Sequence, residues 1–252
     1  MTPLSPTVSV LMPVRDGGEH LFEAMASVVA QTLDDFEVIA VDDGSRDQTP
    51  AVLARQSGIR VITLPLRSGQ SAALYRGLME ASGDVLVLID GDGQTSIPDI
   101  QKLVDCLPEY DFVNGCRTTR MDSPSRRWAS SVANMIRQGI LHDGSRDTGG
   151  SPKVLKRECL PYLAPLDGMH RFIPALLTHA GFRTLEVPVL HRPRTAGRNK
   201  YGLWKRAMQG TLDLIGMRWF LGRRFDGQSG PLAIHTRLNR DGIENEEKNH
   251  SD

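Results

Sequence analysis

The chain has 252 residues, of which 40% are hydrophobic and 24% charged, so it can bury the core of one large or two small domains and is not a disordered chain. Its 30 Lys and Arg balance 30 Asp and Glu, which argues against a nucleic acid as partner, because that binding depends on excess positive charge. Three widely spaced cysteines without a Cys-x-x-Cys pair argue against a disulfide framework or a thiolate zinc site, and they favour a reducing cytoplasm.

The sequence predicts no membrane-spanning helix and no secretory signal. The longest apolar runs, such as Val85–Ile89, are far shorter than the roughly 20 residues that a spanning helix needs. Residues Met1–Thr7 lack the basic segment and the apolar stretch of an export signal. We therefore expect a chain that stays on the cytoplasmic side.

Apolar, β-branched runs alternate with amphipathic stretches in the first half of the chain. The runs predict strands at Val8–Met12, Phe36–Val41, Arg60–Leu64 and Val85–Ile89, and the stretches predict helices at Glu19–Gln31, Asp47–Ser57 and Gln70–Ser82. Ser45 and Gln48 have the spacing of a capping box. The order predicts a doubly wound α/β sheet with its ligand site at the carboxyl ends of the strands.

The pattern is weaker after Asp99 but still alternates. It predicts helices at Ile100–Leu107, Ser125–Ile140, Arg171–Ala180 and Tyr201–Leu221, and strands at Phe112–Gly115 and Thr184–Leu190. From Asp226 to Asp252 apolar residues are few, which predicts a disordered tail. The sequence thus predicts a single α/β domain over residues 1–225, followed by the tail 226–252.

Positive charge is concentrated in two stretches, although the net charge is zero. Residues 1–225 carry 27 Lys and Arg against 24 Asp and Glu. Residues 115–146 contain six Arg and two Asp, and residues 183–224 contain ten Lys or Arg and two acids. Such stretches are often a solvated face, but Arg in Gly-interrupted loops favours bidentate contacts with phosphate.

Two acidic clusters follow predicted strands. The sequence Asp90-Gly-Asp92-Gly-Gln94 comes after the fourth strand, and its oxygen ligands suit Mg²⁺ or Mn²⁺ bridging to a substrate phosphate. Asp42 and Asp43 end the second strand, where they can accept hydrogen bonds from a nucleotide. Ser45 or Asp47 is expected to cap the following helix. The first strand ends in Pro13-Val-Arg15-Asp16-Gly-Gly18, which is neither a dinucleotide fingerprint nor a P-loop.

The order of these motifs resembles that of a known enzyme family. An apolar strand ending in Pro13, then Asp42-Asp43-Gly-Ser-x-Asp-x-Thr49, then Asp90-Gly-Asp92-Gly-Gln94 resembles a family 2 glycosyltransferase of the nucleotide-diphosphosugar-binding GT-A fold over residues 7–115. The second half resembles dolichol-phosphate mannosyltransferases and bacterial polyprenyl-phosphate glycosyltransferases. The motifs there are Gly115-Cys-Arg117, Arg126-Arg127-x-x-Ser130-x-x-x-Asn134, Asp147-Thr-Gly-Gly150, His170-Arg-Phe172 and Val187-Pro-Val-x-His191-x-x-Arg194-x-x-Gly197-x-x-Lys200-Tyr201.

The resemblance implies an inverting, metal-dependent transfer of a sugar from a nucleotide diphosphate to a polyprenyl phosphate, with residues 7–115 as donor half and 116–200 as acceptor half. It implies a metal site at Asp90, Asp92 and Gln94. The implied donor-binding residues are Pro13, Arg15, Asp16, Asp42, Asp43, Gly69, Asp90, Gly91 and Asp92. The implied acceptor-binding residues are Arg117, Arg126, Arg127, Ser130 and Asp147, and the implied catalytic residues are Asp92, Arg117, Arg127, Arg194 and Lys200.

Two departures from the family pattern leave the donor open. Asn199 stands where Ser is usual before the Lys, and Arg15-Asp16-Gly-Gly18 replaces the more usual Tyr/Asn-Asn-Glu after Pro13. Both a UDP-sugar and GDP-mannose therefore remain candidates. A homo-oligomer is compatible with the sequence.

The chemistry of the acceptor separates the alternatives. A phosphomonoester has a second pKa near 6, so it is mostly a dianion at neutral pH and needs positioning but no general base. A hydroxyl acceptor would need a base, for which Asp147, Asp167 and His170 are the candidates. A third alternative is a non-catalytic nucleotide-sugar sensor or membrane scaffold.

The last predicted helix, within residues 201–224, has an apolar stripe formed by Trp204, Met208, Leu212, Ile215 and Trp219. It is widened by Leu203, Ala207, Thr211 and Leu214, and basic residues surround it, namely Lys205, Arg206, Arg218, Arg223 and Arg224. This composition is typical of a helix in a lipid headgroup layer, although the same stripe can pack on a protein core. We therefore expect a peripheral enzyme on the inner face of the cell membrane.

Overall fold

A computed structural model describes residues 7–18, 20–29, 35–117, 124–190 and 203–223, with the backbone alone at positions 20, 23, 97, 124–132 and 203–209. The strands are β1 (Val8–Val14), β2 (Phe36–Asp42), β3 (Ile59–Thr63), β4 (Val85–Leu88), β5 (Phe112–Arg117), β6 (Lys153–Lys156) and β7 (Thr184–Val189). The helices are α1 (His20–Val29), α2 (Thr49–Ala54), α3 (Gln70–Glu80), α4 (Ile97–Val104), α5 (Pro124–Leu141), α6 (Met169–His179) and α7 (Leu203–Leu221), with a 3₁₀ helix at Arg157–Tyr162.

The strands form one sheet in the order β3-β2-β1-β4-β6-β5-β7. All neighbouring pairs are parallel except those of β6, which is antiparallel to both β4 and β5. Because β6 runs in the opposite direction, its first residue, Lys153, lies opposite Leu88 and Asn114 at the carboxyl edge of the parallel strands. The sheet thus brings the ends of β1, β2, β4 and β5 and the start of β6 to one edge.

The two faces of the sheet bury alternating residues of the same strands. On β1, Leu11 packs in the cluster formed with α3, α6 and α7, whereas Met12 packs in the cluster formed with α1 and α4. Val87 and Leu88 of β4 divide between the clusters in the same way. Burial on both faces explains why the strands read as nearly continuous apolar runs.

The structure confirms the predicted α/β sheet and the four strands of the first half, and it corrects several details. Strand β6 and the 3₁₀ helix were not predicted, and β4 ends at Leu88 instead of Ile89. The predicted capping box is wrong, since Gln48 directly precedes α2 and the Ser45 hydroxyl donates to Asp42. The Asp47 carboxylate accepts the Thr49 amide at 2.9 Å, so Asp47 serves the start of the helix.

Helix α7 has two different faces in the part whose side chains are described. Leu214, Met217 and Leu221 are buried in the core. Leu212, Ile215 and Trp219 of the predicted stripe are instead 66%, 59% and 61% exposed. Leu214, which was expected to widen the stripe, belongs to the core face. The predicted contributions of Trp204 and Met208 lie outside the described side chains, and the predicted tail lies outside the described residues.

No helix in the described ranges is both long enough and apolar enough to cross a membrane.

Candidate active site

The loops after β1 and β2 are tied together around the buried carboxylate of Asp42, whose residue is 1% exposed. Asp42 Oδ1 accepts the Ser45 amide at 3.0 Å, and Ser45 Oγ in turn accepts the Asp16 amide at 3.0 Å. Asp42 Oδ2 is buried and has no hydrogen-bond partner among the described residues. An unsatisfied buried carboxylate oxygen at the edge of the sheet is a ready acceptor for a ligand hydroxyl or amide.

Asp43 holds the loop that precedes α3. Its carboxylate accepts the backbone amides of Ser68 and Gly69, the Gly69 amide at 3.0 Å from each oxygen. Asp43 and Gly69, both expected to bind the donor, are therefore placed beside each other, and the structure gives Asp43 a role in fixing the start of α3.

A turn directly after β4 carries the second acidic cluster. Asp92 Oδ1 accepts the Gln94 amide at 3.2 Å, and Asp90 Oδ1 accepts Gln70 Nε2 from the start of α3 at 3.0 Å. A Cβ atom at Gly91 would lie 2.7 Å from Val14 Cγ1, so only glycine lets this turn approach β1 so closely. The turn after β4 thus positions the two carboxylates.

The donor set of this turn fits a divalent cation. Asp90, Asp92 and Gln94 offer hard oxygen atoms, and Mg²⁺ is commonly held by one or two protein carboxylates together with substrate phosphates and water. Among the described residues no group of three His, Cys, Asp or Glu side chains forms a closed metal site.

Arg117 is paired with the buried Asp147 at the end of β5. Its Nε and Nη2 atoms donate to the two carboxylate oxygens at 2.7 Å and 2.8 Å, and its backbone amide donates at 3.2 Å. This pairing raises the pKa of the Arg117 guanidinium. Both Asp147 oxygens accept hydrogen bonds from Arg117, which makes Asp147 a poor candidate for a general base.

Glu186 on β7 holds the loop that carries Asp147. The sequence gave no indication of this role. Its carboxylate accepts the Arg146 amide at 2.9 Å, the Asp147 amide at 3.2 Å and the Ser145 hydroxyl at 2.6 Å. Arg137 of α5 donates to the carbonyl of Ser145. The loop that carries Asp147 is therefore held by both the edge strand and α5.

A cavity of about 180 Å³ lies beside the acidic turn. Its polar lining includes Gln70, Asp90, Lys153, His170 and Arg171. His170 Nδ1 is 2.8 Å from Ser71 Oγ, and burial together with the nearby cations Arg171 and Lys153 lowers the pKa of His170 to about 4. His170 is thus neutral at physiological pH, and it lies in the cavity wall.

Lys153 is the most buried cation of this cavity, at 7% exposure, and was not predicted as a site residue. Burial lowers the pKa of its ammonium group, while Asp90 and Asp147 act in the opposite direction. No motif marked it, because its place in the site depends on the unpredicted strand β6.

Several predicted site residues lie outside what the structure describes. Arg194 and Lys200 fall between residues 190 and 203, and Arg126, Arg127 and Ser130 lie in α5 where the backbone alone is described. Of the others, Pro13 lines the cavity, and Arg15 lies with its Nε 3.5 Å from Asp16 Oδ2 in the loop after β1. Of the predicted acceptor-binding and closing arginines, Arg117 is the one whose side chain the structure describes.

The mostly parallel sheet with an Asp-x-Asp turn at the end of β4 defines a GT-A domain. Glucosyl-3-phosphoglycerate synthase from Mycobacterium tuberculosis, solved with Mn²⁺, UDP-glucose and phosphoglyceric acid, aligns with a TM-score of 0.63 at 22% identity, covering 87% of this chain and 81% of that one. The same enzyme with Mg²⁺ and UDP gives a TM-score of 0.58 at 21% identity, covering 84% and 80%. These likenesses establish the fold.

Residues 9–160 match the model of glycosyl transferase family 2, and the chain belongs to that family. Undecaprenyl-phosphate 4-deoxy-4-formamido-L-arabinose transferase of Sodalis glossinidius is 33% identical over 207 residues, which cover 79% of this chain and 64% of that protein. The enzyme of the same name from Pseudomonas aeruginosa strain LESB58 is 32% identical over 203 residues, covering 77% and 60%. The chain thus matches less than two thirds of the length of these relatives.

Proposed function

We propose that this chain transfers a sugar, with inversion, from a nucleotide diphosphate to a polyprenyl phosphate. The observation that carries the proposal is that Asp90 of the acidic turn and the buried Lys153 line one cavity at the sheet edge, where Arg117 ends the strand next to β6. An acidic turn suits a divalent ion on a diphosphate, and cations suit phosphate oxygens. The relatives that share the family are named for transfer to undecaprenyl phosphate.

The nucleotide diphosphate sugar is the donor in this proposal, and the loops after β1 and β2 receive its nucleoside. The unpartnered Asp42 Oδ2 supports this role. The structural neighbours were solved with UDP, which favours a UDP-sugar over GDP-mannose without naming the sugar.

Asp90, Asp92 and Gln94 would hold Mg²⁺ or Mn²⁺. When bound, such an ion supplies charge stabilisation to the nucleoside diphosphate as it leaves. The chain's own contribution is to orient the donor through the loop of Gly91 and to hold the acceptor phosphate through Arg117, with Arg126, Arg127 and Ser130 of α5 as further acceptor contacts and Arg194 and Lys200 as closing cations.

A phosphate acceptor agrees with the state of the three candidate bases, of which His170 is a weak base because burial and the nearby cations lower its pKa to about 4. Asp147, the candidate base for a hydroxyl acceptor, is occupied by Arg117 through both oxygens. Asp167 is exposed. A phosphate acceptor needs neither, because it is ionised at neutral pH.

We further propose that α7 attaches the enzyme to the membrane surface, where the acceptor's headgroup lies. Its outer face presents Leu212, Ile215 and Trp219, while a separate face serves the core. The Arg223 guanidinium lies 4.8 Å from the centroid of the Trp219 ring, so a cation accompanies the apolar surface. Apolar and basic groups together are typical of helices that lie in an anionic headgroup layer.

The experiment that tests the proposal is a donor panel. The protein is incubated with Mn²⁺, a short polyprenyl phosphate and, in separate reactions, a set of UDP-sugars and GDP-mannose, and the lipid product is weighed by mass spectrometry. One donor should give a lipid phosphate heavier by one sugar residue. Donor binding without any transfer would instead support the non-catalytic alternative.

A further inference from the structure

The ammonium group of Lys153 is buried, and the acidic residues that favour its charged form, Asp90, Asp147 and Glu186, make no ion pair with it among the described contacts. In the described part of the chain, its Nζ atom donates to one acceptor, the Gly150 carbonyl, and makes no ion pair within 4 Å. An ammonium group has three donors. Burying such a charge without a close counter-ion is costly, so proteins seldom retain one unless a ligand completes it.

The surroundings of Lys153 belong to the site and not to the core. Lys153 lines the cavity together with Asp90 of the acidic turn and the Gly149–Gly150 turn. A Cβ atom at Gly149 would lie 3.3 Å from Arg117 Nη2, so the Gly-Gly turn is flanked by Arg117 on one side and by Lys153 on the other. A Cβ atom at Gly150 would clash with the carbonyl oxygen of Gly115, so this glycine lets the turn pack against β5. The space for an anion is the cavity that Lys153 lines.

Lys156, on the same strand β6, allows a comparison with Lys153. Lys156, three residues further on, pairs with Asp111 at 2.8 Å and with Glu158 at 3.9 Å. Lys156 is at the opposite edge of the sheet, where its charge is balanced by the protein. Lys153, at the ligand edge, is not balanced in that way.

We propose that Lys153 binds a phosphate oxygen of a substrate in this cavity. The proposal rests on the proposed function and extends it by adding a phosphate-binding residue that the family motifs did not mark. A compact ammonium is a common phosphate ligand. The phosphate can come from the donor's diphosphate or from the acceptor's phosphomonoester, since both groups carry the same chemistry.

The test compares wild type with Lys153→Met, which keeps the volume and removes the charge, and with Lys156→Met as a control on the same strand. Calorimetry with Mn²⁺ measures binding of UDP, uridine and inorganic pyrophosphate, and kinetics measure the Michaelis constant for a short polyprenyl phosphate. If the phosphate is the donor's, Lys153→Met weakens UDP and pyrophosphate about tenfold or more and leaves uridine unchanged. If it is the acceptor's, only the Michaelis constant for the lipid phosphate rises by that factor.

Either pattern supports the proposal and identifies the source. Unchanged constants for all phosphate probes in Lys153→Met would overturn it, as would equal weakening of uridine and UDP. Removal of an unbalanced charge should leave the melting temperature at or above that of wild type, so an unfolded Lys153→Met chain would also overturn it. Pyrophosphate tests the anion site even if no nucleotide sugar is turned over, which separates this inference from the proposed function.

Discussion

Among the single residues of the proposed site, some side chains would bind the metal ion and others would bind phosphate. Asp92 belongs to the first kind. It lies in a turn outside the core clusters, and its Oδ1 atom accepts the backbone amide of Gln94. Its removal should therefore affect chemistry far more than folding.

Asp92→Ala should lower the rate of sugar transfer by about 100-fold or more, because loss of the ion's charge stabilisation costs roughly 3 kcal/mol in the transition state. The melting temperature should stay within a few degrees of wild type. Asp105→Ala is the matched control, since Asp105 is an exposed carboxylate at the end of α4 that contacts Gln101. Full activity of Asp92→Ala would contradict the assignment of the metal site to this turn.

Arg117 and Arg127 are both predicted to bind the acceptor phosphate, and the structure describes the side-chain contacts of Arg117. Both Arg117→Ala and Arg127→Ala should raise the Michaelis constant for lipid phosphate about 10- to 100-fold, more than that for nucleotide sugar. Arg117→Ala should also lose stability, by about 3 kcal/mol, because it removes the guanidinium that pairs with the buried carboxylate of Asp147.

The double variant Arg117→Ala/Asp147→Asn separates the two effects. It should recover much of the stability while keeping the raised Michaelis constant, as measured by urea unfolding and by kinetics. Equal effects of Arg117→Ala on both substrates would assign this arginine to general structure.

Among the elements, α7 is the one for which we expect opposite effects of substitutions on its two faces. Substitutions on the core face should unfold the protein, whereas those on the outer face should leave it folded. This difference gives the membrane proposal a sharp test within one helix.

Ile215→Glu/Trp219→Glu should remain folded and lose most of its sedimentation with vesicles that contain anionic lipid, because both side chains are exposed and apolar. Binding of wild type should weaken with salt. Leu66→Glu/Met79→Glu changes charge equally at two exposed apolar positions away from α7 and serves as control. If the wild-type protein does not sediment with such vesicles, α7 does not attach the enzyme to the membrane, and another protein would have to do so.

The elements also show how far the sequence could be interpreted. Strands β1, β2 and β4 are long apolar runs buried on both faces, so their pattern predicts them together with the acidic turns at their ends. Strand β6 has four residues, two of them lysines, and no alternation that separates it from a loop. Lys153 therefore could not be assigned to the site from sequence. Glu186 was missed for a related reason, since its partners are backbone amides some 40 positions away.

At the scale of the whole molecule, Asp111 joins the three strands of the second half. Its carboxylate, in the residue directly before β5, accepts Lys156 Nζ of β6 at 2.8 Å and the Arg183 amide before β7 at 2.9 Å. Burial opposes ionisation, but these hydrogen bonds outweigh it and lower the pKa of Asp111 from 3.8 to about 2. At the edge of the sheet opposite the active site, an ionised carboxylate thus connects β5, β6 and β7.

This shift predicts a pH dependence of stability. Because the pKa in the folded state is lower than in the unfolded state, the contribution is complete above pH 4 and is lost as the pH falls towards 2. Asp111→Asn should therefore reduce the free energy of unfolding by about 2 kcal/mol at pH 7 and by much less near pH 2. Urea titrations at several pH values measure the difference, and a difference that stays constant with pH would contradict the assigned cause.

We propose that the site serves a phosphate acceptor and needs no general base. The most direct measurement presents the enzyme, its preferred donor and Mn²⁺ with a short polyprenyl phosphate or with the corresponding polyprenol, and weighs the products. We expect a sugar-phosphate-lipid product from the phosphate and none from the alcohol. Transfer to the polyprenol, abolished by Asp147→Asn while donor binding is retained, would contradict the account.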